Sequence, residues 1–132
     1  MSKLGCTCGY TIRDQTDHLP YKGHVLPDLH HDDFFDWMAA EAQSYMVASR
    51  EGQTQKWLLD RGCTQDYVDL KLSDAEVLHD RIHTRFLKLK RDMYECNGCG
   101  RIHVETNEIN HFVCYTPDNL KMNAILSADP NE

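Results

Sequence analysis

The chain has no run approaching the roughly 18 consecutive apolar residues of a membrane span, and no apolar signal-peptide core lies between Met1 and Cys6. A membrane-spanning helix is therefore excluded, and a cytoplasmic location is expected. Internal repeats and low-complexity tracts are also missing, so one ordinary globular domain is the simplest organisation. Cations are in deficit: 14 Lys and Arg face 21 Asp and Glu, a formal charge of -7. An acidic surface repels phosphates, which opposes nucleic acid as a general partner and favours a basic protein instead. No catalytic motif occurs anywhere, and the expectation is a protein that is not an enzyme.

What is present begins with size. At 132 residues, 41% hydrophobic and 27% charged, the chain can bury a core with little to spare. Its six cysteines carry the strongest pattern. Cys6-Thr7-Cys8-Gly9 stands near the start and Cys96-Asn97-Gly98-Cys99-Gly100 some ninety residues later. Without an export signal, structural disulfides are disfavoured, and paired thiols read as metal ligands. Two close pairs on two turns supply the four thiolates that a tetrahedral structural Zn2+ takes, at about 2.3 Å each. Four thiolates close the coordination shell and leave no position for water, so one structural zinc is expected on Cys6, Cys8, Cys96 and Cys99. Glycine after each pair lets the backbone curl and aim amides at the sulfurs. The first pair has one spacer instead of two; its turn must be tighter, with His103 or His18 as substitute ligands. A redox Cys-x-x-Cys would open a helix, whereas Cys96 and Cys99 sit between strand patterns. Cys63 and Cys114 read as buried free thiols.

These knuckles resemble the zinc ribbon fold group, whose pairs have the form Cys-x-x-Cys-Gly. With the stretch from Asp14 to Gly23, Asp-Gln-Thr-Asp-His-Leu-Pro-Tyr-Lys-Gly, they also resemble small bacterial zinc-ribbon proteins of unassigned activity, which carry a helical insertion between the two cysteine pairs. The resemblance implies an α+β fold: a zinc ribbon of N- and C-terminal β segments around a helical insertion.

The chain read in order agrees. Residues 10–13 and 23–26 predict short strands. From Asp28 the pattern turns helical, with Phe34, Phe35, Met38, Ala42, Tyr45, Met46 and Ser49 as the stripe for the core, ending at Gly52. A short helix over 54–60 buries Trp57 and Leu58 before Gly62 stops it, and 64–71 adds a further turn. Ser73-Asp74-Ala75-Glu76 has the form of a capping box and opens a helix with Leu78, Ile82, Phe86 and Leu89 on its apolar face. Strands over 93–95, 101–105 and 111–115 complete the reading. One domain spans 1–118, with the insertion at about 29–91, and 119–132 reads as a mobile tail.

Three further groups are weighed. His30-His31-Asp32-Asp33, with His24 upstream, has ligand-type residues, but neighbours on a helix point in different directions. Glu76, His79 and His83 share one helical face, read as solvated because di-iron bundles need two such motifs. Arg81, Arg85 and Lys88, with Lys90 and Arg91 beyond, form a basic stripe, the basis for an alternative role as a nucleic-acid-associated regulator. Residues 28–41 carry five acids, no Lys and no Arg, interleaved with Phe34, Phe35 and Trp37. Asp32, Asp33, Asp36, Trp37 and Glu41 are therefore the candidate docking residues for a basic partner. The most specific expectation is an immunity protein that neutralises a basic bacterial nuclease toxin.

Overall fold

The computed structural model describes residues 3–127. Its elements in chain order are β1 (Lys3–Gly5), β2 (Thr11–Arg13), β3 (Lys22–Val25), α1 (Asp28–Arg50), α2 (Thr54–Asp60), α3 (Gln65–Asp69), α4 (Asp74–Leu89), β4 (Arg91–Glu95), β5 (Ile102–Glu105) and β6 (Phe112–Tyr115). The fold is α+β, and it divides into two compact units, Met1–Leu26 with Lys90–Glu132, and Pro27–Leu89.

The helical unit is built on α1 and α4. The capping box forms as its residues dictate: the Ser73 N–H donates to Glu76 Oε2 at 2.8 Å, and the Glu76 N–H donates to Ser73 Oγ at 3.2 Å. Thr64 caps α3 by accepting from the Tyr67 N–H at 3.2 Å. The core gathers Tyr45, Ala48, Trp57, Leu58 and Val77, with Tyr45 edge-on to Trp57 at 5.0 Å. Aromatic pairs in this geometry add to the area they bury.

The buried stripe of α1 is rotated from the expected one. Phe34, Glu41, Tyr45 and Ala48 face inward, whereas Phe35 and Met46 are exposed. Glu41 is only 6% exposed, which removes it from the docking residues. A carboxylate is held inside because two guanidiniums meet it: Arg61 Nε at 2.5 Å and Arg81 at 3.2 Å. Arg61 also lies 3.7 Å over the Trp57 ring, and Ser44 ties the group together by accepting from Trp57 Nε1 at 2.8 Å. Glu41→Ala leaves both arginines facing a hole. Breaking a fully buried pair costs roughly 3–5 kcal/mol, and because these arginines are about a quarter exposed the expected loss is about 2–3 kcal/mol. Urea unfolding of the variant checks this; an unchanged midpoint would mean that the cluster does not stabilise the unit.

In the other unit β1 and β2 pair antiparallel, with Leu4 opposite Ile12. The remaining strands form an antiparallel sheet in the order β3-β4-β5-β6. Tyr94, Cys6, Ile12, Cys96 and Cys99 make its core, packed by Leu4, Tyr21 and Phe112. The Tyr94 hydroxyl donates to Asp14, which Lys22 also meets at 2.6 Å. Burial acts to raise the Asp14 pKa, but Lys22 and Tyr94 outweigh it and hold the carboxyl below its ordinary range.

Residues 119–127, read from sequence as part of a mobile tail, make specific contacts. Glu95 is 1% exposed, and its two oxygens accept the backbone N–H groups of Asn123 at 2.9 Å and Ile125 at 3.1 Å. Leu126 packs where a side chain on Gly23 would stand, and the Ser127 hydroxyl donates to the Pro20 carbonyl at 3.1 Å. The segment carries little apolar periodicity, and backbone donors on a buried carboxylate hold it in place. Residues 128–132 of that expected tail lie outside the described residues.

Candidate metal centre

The two cysteine knuckles are built alike. In the first, the Cys6 N–H donates to the Tyr10 carbonyl at 2.8 Å and the Gly9 N–H donates back to the Cys6 carbonyl at 3.0 Å. In the second, the Cys96 N–H donates to Arg101 at 2.9 Å and the Gly100 N–H to Cys96 at 2.8 Å. The missing spacer is thus absorbed by a turn one residue shorter. Gly9 at φ 94° and Gly100 at φ 78° close the two curls in the left-handed region.

The four sulfurs come together from opposite ends of the chain. Cys6 Sγ lies 3.7 Å from Cys99 Sγ, Cys8 Sγ lies 3.6 Å from Cys96 Sγ, and all four lie within 4.8 Å of one another. A tetrahedron with bonds of about 2.3 Å has edges of roughly 3.8 Å, so the cluster has the size a tetrahedral ion needs. Cys6, Cys96 and Cys99 are buried and Cys8 is exposed. Among the described residues this is the one group of three or more Cys, His, Asp and Glu side chains able to converge on an ion.

Arg101 belongs to the site although no spacing argument selected it. Its guanidinium stands 3.3 Å from Cys99 Sγ. Burial alone would raise the Cys99 pKa, but the backbone amide and guanidinium of Arg101 outweigh it and bring the thiol down to about 6. Burial pushes Cys96 up to about 12, against the Cys99 and Gly98 amides that point at its sulfur. Arg101 thus favours the thiolate on Cys99 while burial opposes it on Cys96, and a bound cation would supply the charge that deprotonates the remaining thiols.

The substitute ligands stand elsewhere. His103 is buried with Nε2 3.8 Å from Cys114 Sγ, and burial, then the charge of Arg101, lowers its pKa. His18 is exposed. Cys63 is half-buried against the helical core, whereas Cys114 is exposed on β6, which corrects its reading as a buried thiol. Its side chain follows the register that places it opposite His103, at the outer strand of the sheet.

Of the candidate docking residues, Asp32, Asp33 and Asp36 are exposed on α1. Trp37 is half-buried, stacked on Phe34 at 6.2 Å, with the Arg85 guanidinium 5.0 Å over its ring. It acts as a packing residue, not a free anchor. The basic stripe is depleted by the same contacts, since Arg81 serves Glu41 and Arg85 serves Trp37. His31 pairs with Asp32 at 3.0 Å and His24 with Asp92 at 3.0 Å, so the histidines near the start of α1 do not converge. Leu29, 83% exposed, is an apolar side chain that sequence reasoning missed beside the acids, and Phe35, expected in the core stripe, is exposed there as well.

These features define an α+β protein whose two ends converge on a four-cysteine centre able to hold a metal ion. The chain belongs to the family described as a domain of unknown function, DUF8617, whose model matches residues 2–119. No curated protein and no solved structure matches it. No helix among the described residues is long and apolar enough to cross a membrane.

Proposed function

We propose that the protein is a non-enzymatic, cytoplasmic docking protein in which one structural Zn2+ on Cys6, Cys8, Cys96 and Cys99 fixes the fold and an acidic face of α1 binds a basic partner. Four thiolates suit zinc and leave it no open position for substrate or water, which favours a structural over a catalytic ion. The observation that carries the docking reading is on α1. Asp28, Asp32 and Asp36 recur every fourth residue and are all exposed, a single row on one helix face. Leu29 and Phe35 are exposed around that row, and no Lys or Arg lies within residues 28–41 to neutralise it. A row of carboxylates flanked by apolar side chains fits a surface rich in Lys and Arg. The most specific partner of that chemistry is a basic nuclease toxin, which would make this an immunity protein. A nucleic-acid regulator has weaker support, because Arg81 is tied to the buried Glu41 and the exposed Arg85 lies over the Trp37 ring.

The test is binding to the products of the adjacent genes, each purified, together with zinc content by mass spectrometry. A basic product should bind at one to one, with one zinc per chain. Charge reversal of the row, Asp28→Lys with Asp32→Lys and Asp36→Lys, should weaken it at least about tenfold, mainly through the association rate and most at low salt. Tight binding that ignores the reversal would overturn the reading.

A further inference from the structure

We infer that His79 and His83 on α4 form a second, more open site for a divalent transition metal, separate from the cysteine centre. On a helix, residues four apart lie on one face about one turn apart, the spacing with which paired histidines chelate a single ion. The two rings stand side by side, with centroids 5.5 Å apart and planes inclined by 23°. Both side chains are exposed, so an ion reaches them from solvent.

An acid and an apolar cleft flank the pair. Asp80 Oδ1 lies 3.7 Å from His79 Nδ1, and Asp80 Oδ2 accepts from the Tyr67 hydroxyl at 2.9 Å. At 3.7 Å Asp80 makes no hydrogen bond to the ring, and it contributes a nearby negative charge that favours a cation between the imidazoles. Below the rings, Phe34, Ile82 and Phe86 line an apolar cleft that His79 and His83 border, and Phe34 contacts Phe86 at 5.9 Å. That packing fixes α4 under the pair. Glu76, one turn before His79, does not complete a third ligand, because its carboxylate accepts from the Ser73 N–H in the capping box.

Two imidazoles are a set that suits Ni2+, Cu2+ or Zn2+ and gives no preference to Ca2+ or Mg2+. With two protein ligands the ion keeps open positions for water or for a carboxylate or imidazole from another molecule. This distinguishes it from the closed tetrathiolate centre.

The probe is Ni2+, added to protein already carrying zinc on its cysteines. Calorimetry should find one additional Ni2+ per chain at pH 7.5, and the paramagnetic ion should broaden the imidazole signals of His79 and His83 before those of His24, His30, His31 and His111. His83→Ala should abolish this site, and His79→Ala should do the same. Both positions are exposed, and an unchanged thermal midpoint in each variant would show that the fold is retained. Equal broadening at all histidines, or an affinity unchanged in His83→Ala, would overturn the assignment. Release of zinc in step with Ni2+ uptake would overturn it too, since the ion would then be entering the cysteine centre.

Discussion

Cys96→Ser is expected to abolish stoichiometric metal binding and to unfold the unit formed by the chain's two ends. Three of the five buried residues in that unit's core are the cysteines Cys6, Cys96 and Cys99, leaving only Ile12 and Tyr94 as conventional apolar members. So small a core offers little stability by itself. The ion would also hold together Cys8 and Cys96, 88 positions apart. Closing a loop of that length in an unfolded chain costs about 4 kcal/mol from the logarithmic term alone. Structural zinc sites contribute roughly 10–16 kcal/mol of apparent binding free energy at neutral pH, enough to offset this. The variant should bind less than a tenth of an equivalent of zinc and lose dispersion of the amide signals from β1 to β6. The helical unit has its own core around Tyr45, Trp57 and Val77 and should keep its signals. A chelator added to the natural protein should reproduce the result. A Cys96→Ser protein that stays folded and metal-free would sink the metal-clamp account.

What the sequence made legible follows from how locally each feature is encoded. The capping box at Ser73 and Glu76, the short helix carrying Trp57 and Leu58, and the strand-knuckle-strand around Cys96 are specified within a few residues, and the structure has each of them. Two cysteine pairs announce a metal centre at any separation, because few other roles require close thiols twice. The misreadings share a different cause. Glu41 is polar by composition, and only the arrival of Arg61 and Arg81, 20 and 40 residues further on, makes it a buried residue. The face of α1 that carries Glu41 lies inward, and Phe35 lies outside. The segment 119–127 lacks apolar periodicity, yet it docks through backbone N–H groups, which every residue except proline possesses and no pattern displays. Glu95 gives no sign of its role as their acceptor, since a glutamate one position before a knuckle cysteine reads as strand surface.

The last segment also carries the second large expected effect. Gly100→Ala should destabilise its unit by at least about 3 kcal/mol and release residues 121–125, while leaving the four sulfurs in place. Gly9 and Gly100 both occupy left-handed backbone, φ 94° and 78°, where a side chain costs roughly 1–2 kcal/mol. They differ in space. Nothing lies within 4 Å of a Cβ built on Gly9, whereas one on Gly100 would stand 1.9 Å from the Lys121 carbonyl oxygen and 2.5 Å from its carbon. The obstacle is backbone, so the segment has to move. Moving it takes the Asn123 and Ile125 N–H groups from Glu95, a carboxylate that is 1% exposed with the segment in place. Each hydrogen bond lost to a charged group costs roughly 1.5–3 kcal/mol. Gly9→Ala is therefore the matched control, expected to lose only its backbone increment. Hydrogen exchange should show Asn123 and Ile125 losing protection in Gly100→Ala and keeping it in Gly9→Ala. Equal stability loss in the two variants would mean that backbone strain alone is felt, and that the closing segment does not contribute to holding the knuckle.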